Sequence, residues 1–175
     1  NPKFTPVNKS PVMSKTIFLV RHAKSSWEGV ALRDKDRPLN DRGYRDAPVM
    51  AQILASRIKG PVRMISSPAV RAFTTAGIFR DAMQVSEPLV IKDSLYYGDE
   101  EDYLAALREV DEQYQYAVLF GHNPKVEYFC RSVKDSFNAE IPTCAVVGFT
   151  SEIDRWNDLE WNNLQYKEHF FPKEL

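Results

Sequence analysis

This sequence is short of the features that would tie it to a disulfide framework, a metal, a membrane or a nucleic acid. It has two cysteines, Cys130 and Cys144, without CxxC spacing. They are read as buried free thiols in a reducing compartment rather than as a disulfide or metal site. The three histidines, His22, His122 and His169, lack HxH or HExxH spacing, so no metal is expected. No stretch approaches the ~18–20 continuous apolar residues of a bilayer span. A net charge of −1 gives no long-range field to draw in nucleic acid or an acidic membrane surface. Internal repeats and low-complexity tracts are absent as well. The expectation is a cytoplasmic protein without nucleic-acid or membrane partners.

What is present describes an ordinary globular chain, 43% apolar and 27% charged. A length of 175 residues suits one core. Residues 1–14 precede the first strand pattern and carry three prolines without periodicity, so they are expected to be a disordered leader or tag. Residues 15–175 are expected to form one domain. Ile17–Val20 reads as a buried strand. A polar stretch from Lys24 to Arg37 follows, longer than structureless connections usually are unless they serve a function. Asn40 or Asp41 is expected to cap a helix reaching Lys59, with Pro48 kinking it or delaying its start.

Further on, Val62–Ser66 reads as a strand. Pro68 suits the first turn of a helix continuing to Met83. Leu89–Ile91 and Tyr116–Gly121 are strand candidates flanking an amphipathic helix over Glu100–Asp111. Asn123-Pro124 reads as cap and first helical residue of a helix running to about Lys134. Cys144–Phe149 is a further strand, and Arg155–Tyr166 holds a last edge strand of unclear register. His169 is expected to be exposed in a charged tail. Strands alternating with helices predict an α/β fold with a mainly parallel sheet covered on both faces.

Four segments with chemical potential lie just beyond predicted strands, where open α/β sheets keep their ligand crevices. Arg21-His22 follows the first strand. Ser66-Ser67-Pro68 leads to Arg71 near a helix N-terminus, which already favours an anion. Gly121-His122-Asn123 lies in a strand-to-helix turn, and the polar loop before Arg37-Pro38-Leu39 completes the set. Phosphoryl transfer to histidine needs this combination. One imidazole attacks phosphorus while arginines hold the equatorial oxygens. A second, protonated imidazole adds a donor, and a third group protonates the leaving atom and later activates water.

Arg21-His22-Ala23-Lys24, Ser66-Ser67-Pro68 with Arg71-Ala72, and Gly121-His122-Asn123 together resemble the histidine phosphatase superfamily, the phosphoglycerate mutase-like fold. The run Arg21–Trp27, followed by Asp36-Arg37-Pro38-Leu39 and Arg42-Gly43, is similar to its short SixA-like branch of phosphohistidine phosphatases. The resemblance spans about Lys15 to Phe149. It implies a three-layer α/β/α fold and no metal or organic cofactor. It implies His22 as the nucleophile, with Arg21, Arg71 and His122 binding the phosphoryl group. For the acid it favours Asp34, three residues before Arg37-Pro38-Leu39, with Asp36 and Asp99 as alternatives.

The expected substrate is a phosphorylated protein, specifically phosphohistidine. Alternatives are a small phosphorylated metabolite (a sugar phosphate or nucleotide) or a non-catalytic module that only binds phosphate. No lid insertion is visible between Leu89 and Tyr116, which suits a protein side chain better than an enclosed metabolite. Lys24, Ser25, Ser26 and Trp27 are expected to shape the pocket mouth, Trp27 equally well by packing alone. Arg42 and Arg45 read as surface charges or as holders of a second anionic group on the substrate. No dedicated second anion pocket is visible, so mutase chemistry is not expected.

Overall fold

Alternating side chains of the first strand are buried on opposite faces of a central sheet, which is why its sequence reads as an unbroken apolar run. In the computed structural model, which describes residues 14–29 and 32–174, this strand, β1, spans Lys15–Arg21. Ile17 and Leu19 pack with Leu104, Leu107, Val126 and Phe129 on one face. Phe18 and Val20 pack with Met50, Leu54, Ala76 and Phe79 on the other. Full burial of such a side chain contributes about 1.5–3 kcal/mol, so β1 anchors both cores at once. The expected leader over residues 1–14 lies outside the described residues apart from Ser14.

The remaining elements are α1 (Asp41–Ala55), β2 (Val62–Ser66), α2 (Val70–Ala82), β3 (Val90–Ile91), α3 (Ser94–Tyr97), α4 (Glu100–Arg108), β4 (Tyr116–Gly121), α5 (Lys125–Val133), β5 (Val146–Ser151) and β6 (Leu164–Phe170). The six strands form one sheet in the order β3-β2-β4-β1-β5-β6. The first four run parallel, while β5 and β6 are antiparallel to their neighbours. Helices α1 and α2 cover one face, and α4 and α5 the other. The fold is the mainly parallel three-layer α/β/α arrangement that the strand–helix alternation predicts.

Several local expectations are corrected. Asn40 does cap α1, its Oδ1 accepting from the Gly43 amide at 2.9 Å, but α1 runs through Pro48 and ends at Ala55. Pro48 is exposed, so water can meet the carbonyl that lacks an amide donor there. Pro68 is not in the first turn of α2: the Ser67 hydroxyl accepts from the Ala69 amide at 3.2 Å, and this local turn defers the helix to Val70. Helix α4 stops at Arg108 and begins with a capping box between Asp99 and Asp102.

The Asn123–Pro124 peptide is cis, and α5 begins only at Lys125. The Asn123 amide, rather than capping, donates to Glu127 Oε1 and to the Ile141 carbonyl, both at 3.0 Å. Strand β5 starts two residues late because Cys144 adopts a left-handed φ of 63°. The Cys144 amide meets the Arg21 and His22 carbonyls at 3.0 Å, tying the end of β1 to the entry of β5. The last strand covers 164–170 rather than ending at Tyr166. It therefore takes in His169, which is not an exposed tail residue. The His169 ring stacks on Phe171 at 4.3 Å, and its Nδ1 lies 2.6 Å from the Tyr166 hydroxyl. Both cysteines are buried and free, as expected.

Candidate active site

Parallel register brings the motif segments together. Arg21 on β1 stands opposite Gly121 on β4, and Phe120 on β4 stands opposite Ser66 on β2. His22, Ser67 and His122 therefore leave three neighbouring strands at one level. The His22 amide donates to the Gly121 carbonyl at 3.1 Å, and the Ser67 amide to the Phe120 carbonyl at 3.0 Å. Gly121 is needed here: a Cβ would come within 2.3 Å of the Tyr103 hydroxyl. That buried hydroxyl accepts from the His122 amide at 3.1 Å and donates to the Leu95 carbonyl at 2.9 Å.

The alternation along β1 also separates the roles of its last two side chains. Arg21 falls on the α5 face, where its Nη1 donates to the Ile141 carbonyl at 2.7 Å. His22 falls on the α2 face, where its Nε2 receives the Arg71 Nε–H at 3.3 Å. Its Nδ1 lies 2.8 Å from the Ala23 carbonyl, which can only accept. The proton therefore sits on Nδ1, and Nε2 carries the lone pair. Burial, together with the charges of Arg71, Arg21 and Arg37, holds this imidazole neutral, its pKa lowered to about 3 against the opposing Ala23 bond. His22 keeps 7% of its surface accessible. A neutral imidazole with Nε2 aimed at a guanidinium is arranged as a nucleophile toward an anion.

The second imidazole lies beside the first, with ring centroids 5.2 Å apart. Its Nε2 is 2.8 Å from the Ser67 hydroxyl, and its buried Nδ1 has no partner among the described residues. The expectation that His122 is protonated is not met in the protein alone. Burial first, then His22, Arg71 and Lys125, push its pKa down to about 2.

Asp34 joins this group from the loop between β1 and α1. Its backbone carbonyl accepts Arg71 Nη1 at 2.7 Å and its Oδ2 accepts Arg71 Nη2 at 3.0 Å. The same Oδ2 accepts the Tyr96 hydroxyl at 2.8 Å, and Oδ1 accepts Arg37 Nε at 3.0 Å. Burial alone would raise its pKa, but bonds from Tyr96, Arg71 and Arg37 and the charge of Arg71 lower it to about 2. Asp34 is thus a carboxylate that fixes Arg71. The alternatives are placed elsewhere: Asp36 pairs with Arg33 at 2.8 Å, and Asp99 caps α4.

Sequence reasoning missed four contributors. Tyr96 holds Asp34 and sets its ring edge against His122 at 5.5 Å. Ser67 was visible only as part of a turn. Thr75 accepts from the Ala23 amide at 3.0 Å and donates to the Arg71 carbonyl at 2.7 Å, locking α2 to the end of β1. Arg37 bonds Ser25 at 2.7 Å and lies beneath Trp27 at 3.6 Å, so Trp27 is 77% exposed and stacked on a cation rather than packed in a core. Aligned with the quoted motifs, Ser67 was findable; Tyr96, sixty-two positions from Asp34, was not. Among the described residues, no three His, Cys, Asp or Glu side chains are grouped to hold a metal ion.

The family model described as the histidine phosphatase superfamily (branch 1) matches residues 17–115, more than half of the chain, and the protein belongs to that superfamily. An uncharacterized chloroplastic protein of Arabidopsis thaliana is 46% identical over 66 residues, 38% of this chain and 30% of its own length. The match thus spans less than a third of that relative. A Mycobacterium leprae protein is 22% identical over 169 residues, covering 88% of this chain and its own full length. Among solved structures, SixA of Agrobacterium tumefaciens superposes with a TM-score of 0.75 at 24% identity, covering 90% of this chain and 98% of its own. The protein histidine phosphatase SixA complexed with tungstate gives 0.76 at 20% identity, covering 91% and 98%. A mycobacterial glucosyl-3-phosphoglycerate phosphatase gives 0.62 at 12%, covering 88% and 97%. At these identities the likenesses establish the fold.

The depressed imidazoles predict how stability depends on pH. Both rings are neutral when folded, with pKa values of about 3 and 2, and take a proton near the ordinary 6.5 when unfolded. Below pH 6.5 the unfolded chain therefore binds more protons. The stabilisation is complete above that pH and is lost as pH falls toward 3, at up to ~1.4 kcal/mol per pH unit for each ring. Urea midpoints should fall between pH 7.5 and 4.5, and less steeply in a His22→Gln, His122→Gln variant. Equal slopes in the two proteins would show that other groups carry the effect.

Proposed function

We propose that the protein is a phosphatase that works through a covalent phosphohistidine on His22, with protein phosphohistidine as its substrate. The observation that carries the chemistry is the nitrogen assignment of His22. Nδ1–H is held by the Ala23 carbonyl, which leaves Nε2 as an uncharged nucleophile facing Arg71.

In the first step Nε2 attacks phosphorus in line, the N–P bond forms and the bond to the leaving group breaks. Arg71 and Arg21 bind the equatorial oxygens, where transition-state charge spreads. His122 adds a donor: with Nε2 taking the Ser67 hydroxyl proton, Nδ1–H is available to a phosphoryl oxygen. In the second step water attacks the phosphoryl group on His22, the N–P bond breaks, the proton of the attacking water leaves to solvent, and phosphate departs with the Nε2 lone pair restored.

The state of Asp34 supports the substrate class. A carboxyl with a pKa of about 2 holds no proton for a leaving alkoxide near neutral pH. A phosphoimidazole protonated on its other ring nitrogen brings its own proton and leaves as neutral imidazole. The connection over residues 90–116 supplies β3, α3 and α4 but no lid, which also suits a side chain presented on a protein surface. The solved neighbours include both a protein histidine phosphatase and a phosphatase named for a small phosphorylated sugar acid, so substrate choice needs a direct comparison. A phosphohistidine peptide and a panel of phosphorylated metabolites are to be compared at equal concentration. The peptide should have the higher kcat/KM. A metabolite preference of ~100-fold, about 2.7 kcal/mol, would overturn the protein-substrate reading.

A further inference from the structure

A groove of about 750 Å³ adjoins the candidate active site on the α5 side of Arg21. Five cations line it: Arg21, Lys24, Arg42, Arg131 and Lys173. The lining carboxylates are Glu127 and Glu140. Glu127 is already engaged by the Asn123 amide at 3.0 Å and the Ile141 amide at 3.2 Å, with Arg131 3.8 Å away. Arg42 is paired with Asp46 at 3.5 Å, so the local excess of positive charge rests chiefly on Arg21, Lys24 and Lys173, in a chain whose net charge is −1. Two buried polar atoms of groove residues, Arg21 Nε and Asn123 Oδ1, have no hydrogen-bond partner among the described residues. Buried polar atoms are usually paired with protein, water or a ligand, so these two can receive one. Ile141 and Phe171 give the groove an apolar part.

We propose that this groove binds an acidic segment of the phosphorylated protein, so that carboxylates flanking the phosphohistidine select the substrate. The proposal rests on the reading of the site as one for a protein substrate. Arg21 connects the two regions: it is the residue before the nucleophile and also lines the groove. A phosphoryl group at His22 therefore leaves the neighbouring chain beside these cations. The volume is many times the ~30 Å³ that a water occupies and lies in the range of sites for multi-group ligands. It accommodates several side chains rather than one small anion. Most of the lining cations are at least partly exposed, so their individual contributions are small and screened by salt, and selection is by their sum.

The first measurement does not depend on hydrolysis. A Glu-rich peptide without phosphate and a neutral peptide of equal length are titrated against the protein at low salt. The acidic peptide should bind about tenfold more tightly, and this preference should vanish in an Arg42→Gln, Arg131→Gln, Lys173→Gln variant. An Arg42→Gln single variant should lose part of it, whereas Arg45→Gln, the same charge change on the same helix outside the groove, should keep it. Hydrolysis of a small chromogenic phosphomonoester verifies that each variant is folded. Phosphohistidine peptides with acidic flanks should show a KM about tenfold below those with neutral flanks, at similar kcat. Equal peptide affinity in wild type and triple variant would overturn the proposal, as would competition by inorganic sulfate as strong as by the peptide. Failure to hydrolyse any phosphohistidine peptide would count against the proposed substrate, while the unphosphorylated peptide would still decide the groove.

Discussion

His22→Ala is expected to reduce turnover of any phosphorylated substrate by about 10⁴-fold or more, the scale on which a covalent enzyme loses rate without its nucleophile. The reason is specific to the geometry. His22 Nε2 is the lone pair that Arg71 faces, whereas the neighbouring imidazole has its Nε2 engaged with Ser67. His122 cannot substitute through Nε2 without breaking that contact. Brief reaction with labelled substrate followed by quenching should trap label on His22 in an acid-labile, base-stable form, as expected of an N–P bond. Because the His22 pKa is lowered to about 3, phosphoenzyme formation should persist at pH 5, where an ordinary histidine would be largely protonated. Label on a serine or aspartate, or wild-type phosphate binding without turnover, would defeat the mechanism. The second outcome would favour a non-catalytic phosphate-binding module.

Arg71→Ala should have the next largest effect, a loss of about 10²–10⁴ in kcat/KM. Each charge-assisted hydrogen bond to the transferring phosphoryl group contributes roughly 1.5–3 kcal/mol, and a guanidinium offers two. Lysine should restore little, because a point charge does not reproduce the fork that reaches both His22 and Asp34. Asp34 holds this fork, and Tyr96 and Arg37 hold Asp34. A mere loss of folding is separated from a loss of catalysis by the imidazole nitrogen shifts. In folded Arg71→Ala the His22 pKa should move up because one of its depressing charges is gone, yet stay below 6.5 because burial is the larger cause. An unchanged His22 titration together with near wild-type kcat/KM would mean that Arg71 does not act at this site.

How far the chain could be read in advance varied by element. The two central strands were legible because burial on both faces leaves an unbroken apolar run, as in Ile17–Val20 and Ala117–Phe120. Asn40 was legible as a cap because its side chain bonds a backbone amide three residues away, an interaction contained in local sequence. The starts of α2 and α5 lie later than their local sequence signals for the opposite reason. Pro68 and Pro124 carry the usual signal for a helix start, but Ser67 turns the chain locally, and Asn123 is drawn to Ile141 eighteen residues on. His169 looked like a tail residue because the pairing of β6 with β5 depends on a partner strand that its own sequence does not announce.

The site divides along the same line. His22, Arg21, Arg71 and His122 are legible as candidates from short motifs at or beyond strand ends, because each carries its chemistry in its own side chain, and the structure brings them to one end of the sheet. The lowered imidazole pKa values, the role of Asp34 as an anchor of Arg71 and the participation of Tyr96 are not legible, because each depends on burial and on contacts between segments far apart in sequence, such as Asp34 with Arg71 and with Tyr96. The basic groove is illegible for the same reason: its five cations come from four separate stretches of chain and converge only when α1, α5 and the segment after β6 close around Arg21 and Lys24. Sequence by itself determined which side chains could handle a phosphoryl group and that strands would place them at one end of a sheet. Tertiary structure alone decided that His22 is held neutral beside Arg71 and that Asp34 is held as a carboxylate by Arg71 and Tyr96, because desolvation and electrostatic fields arise only after distant segments pack together.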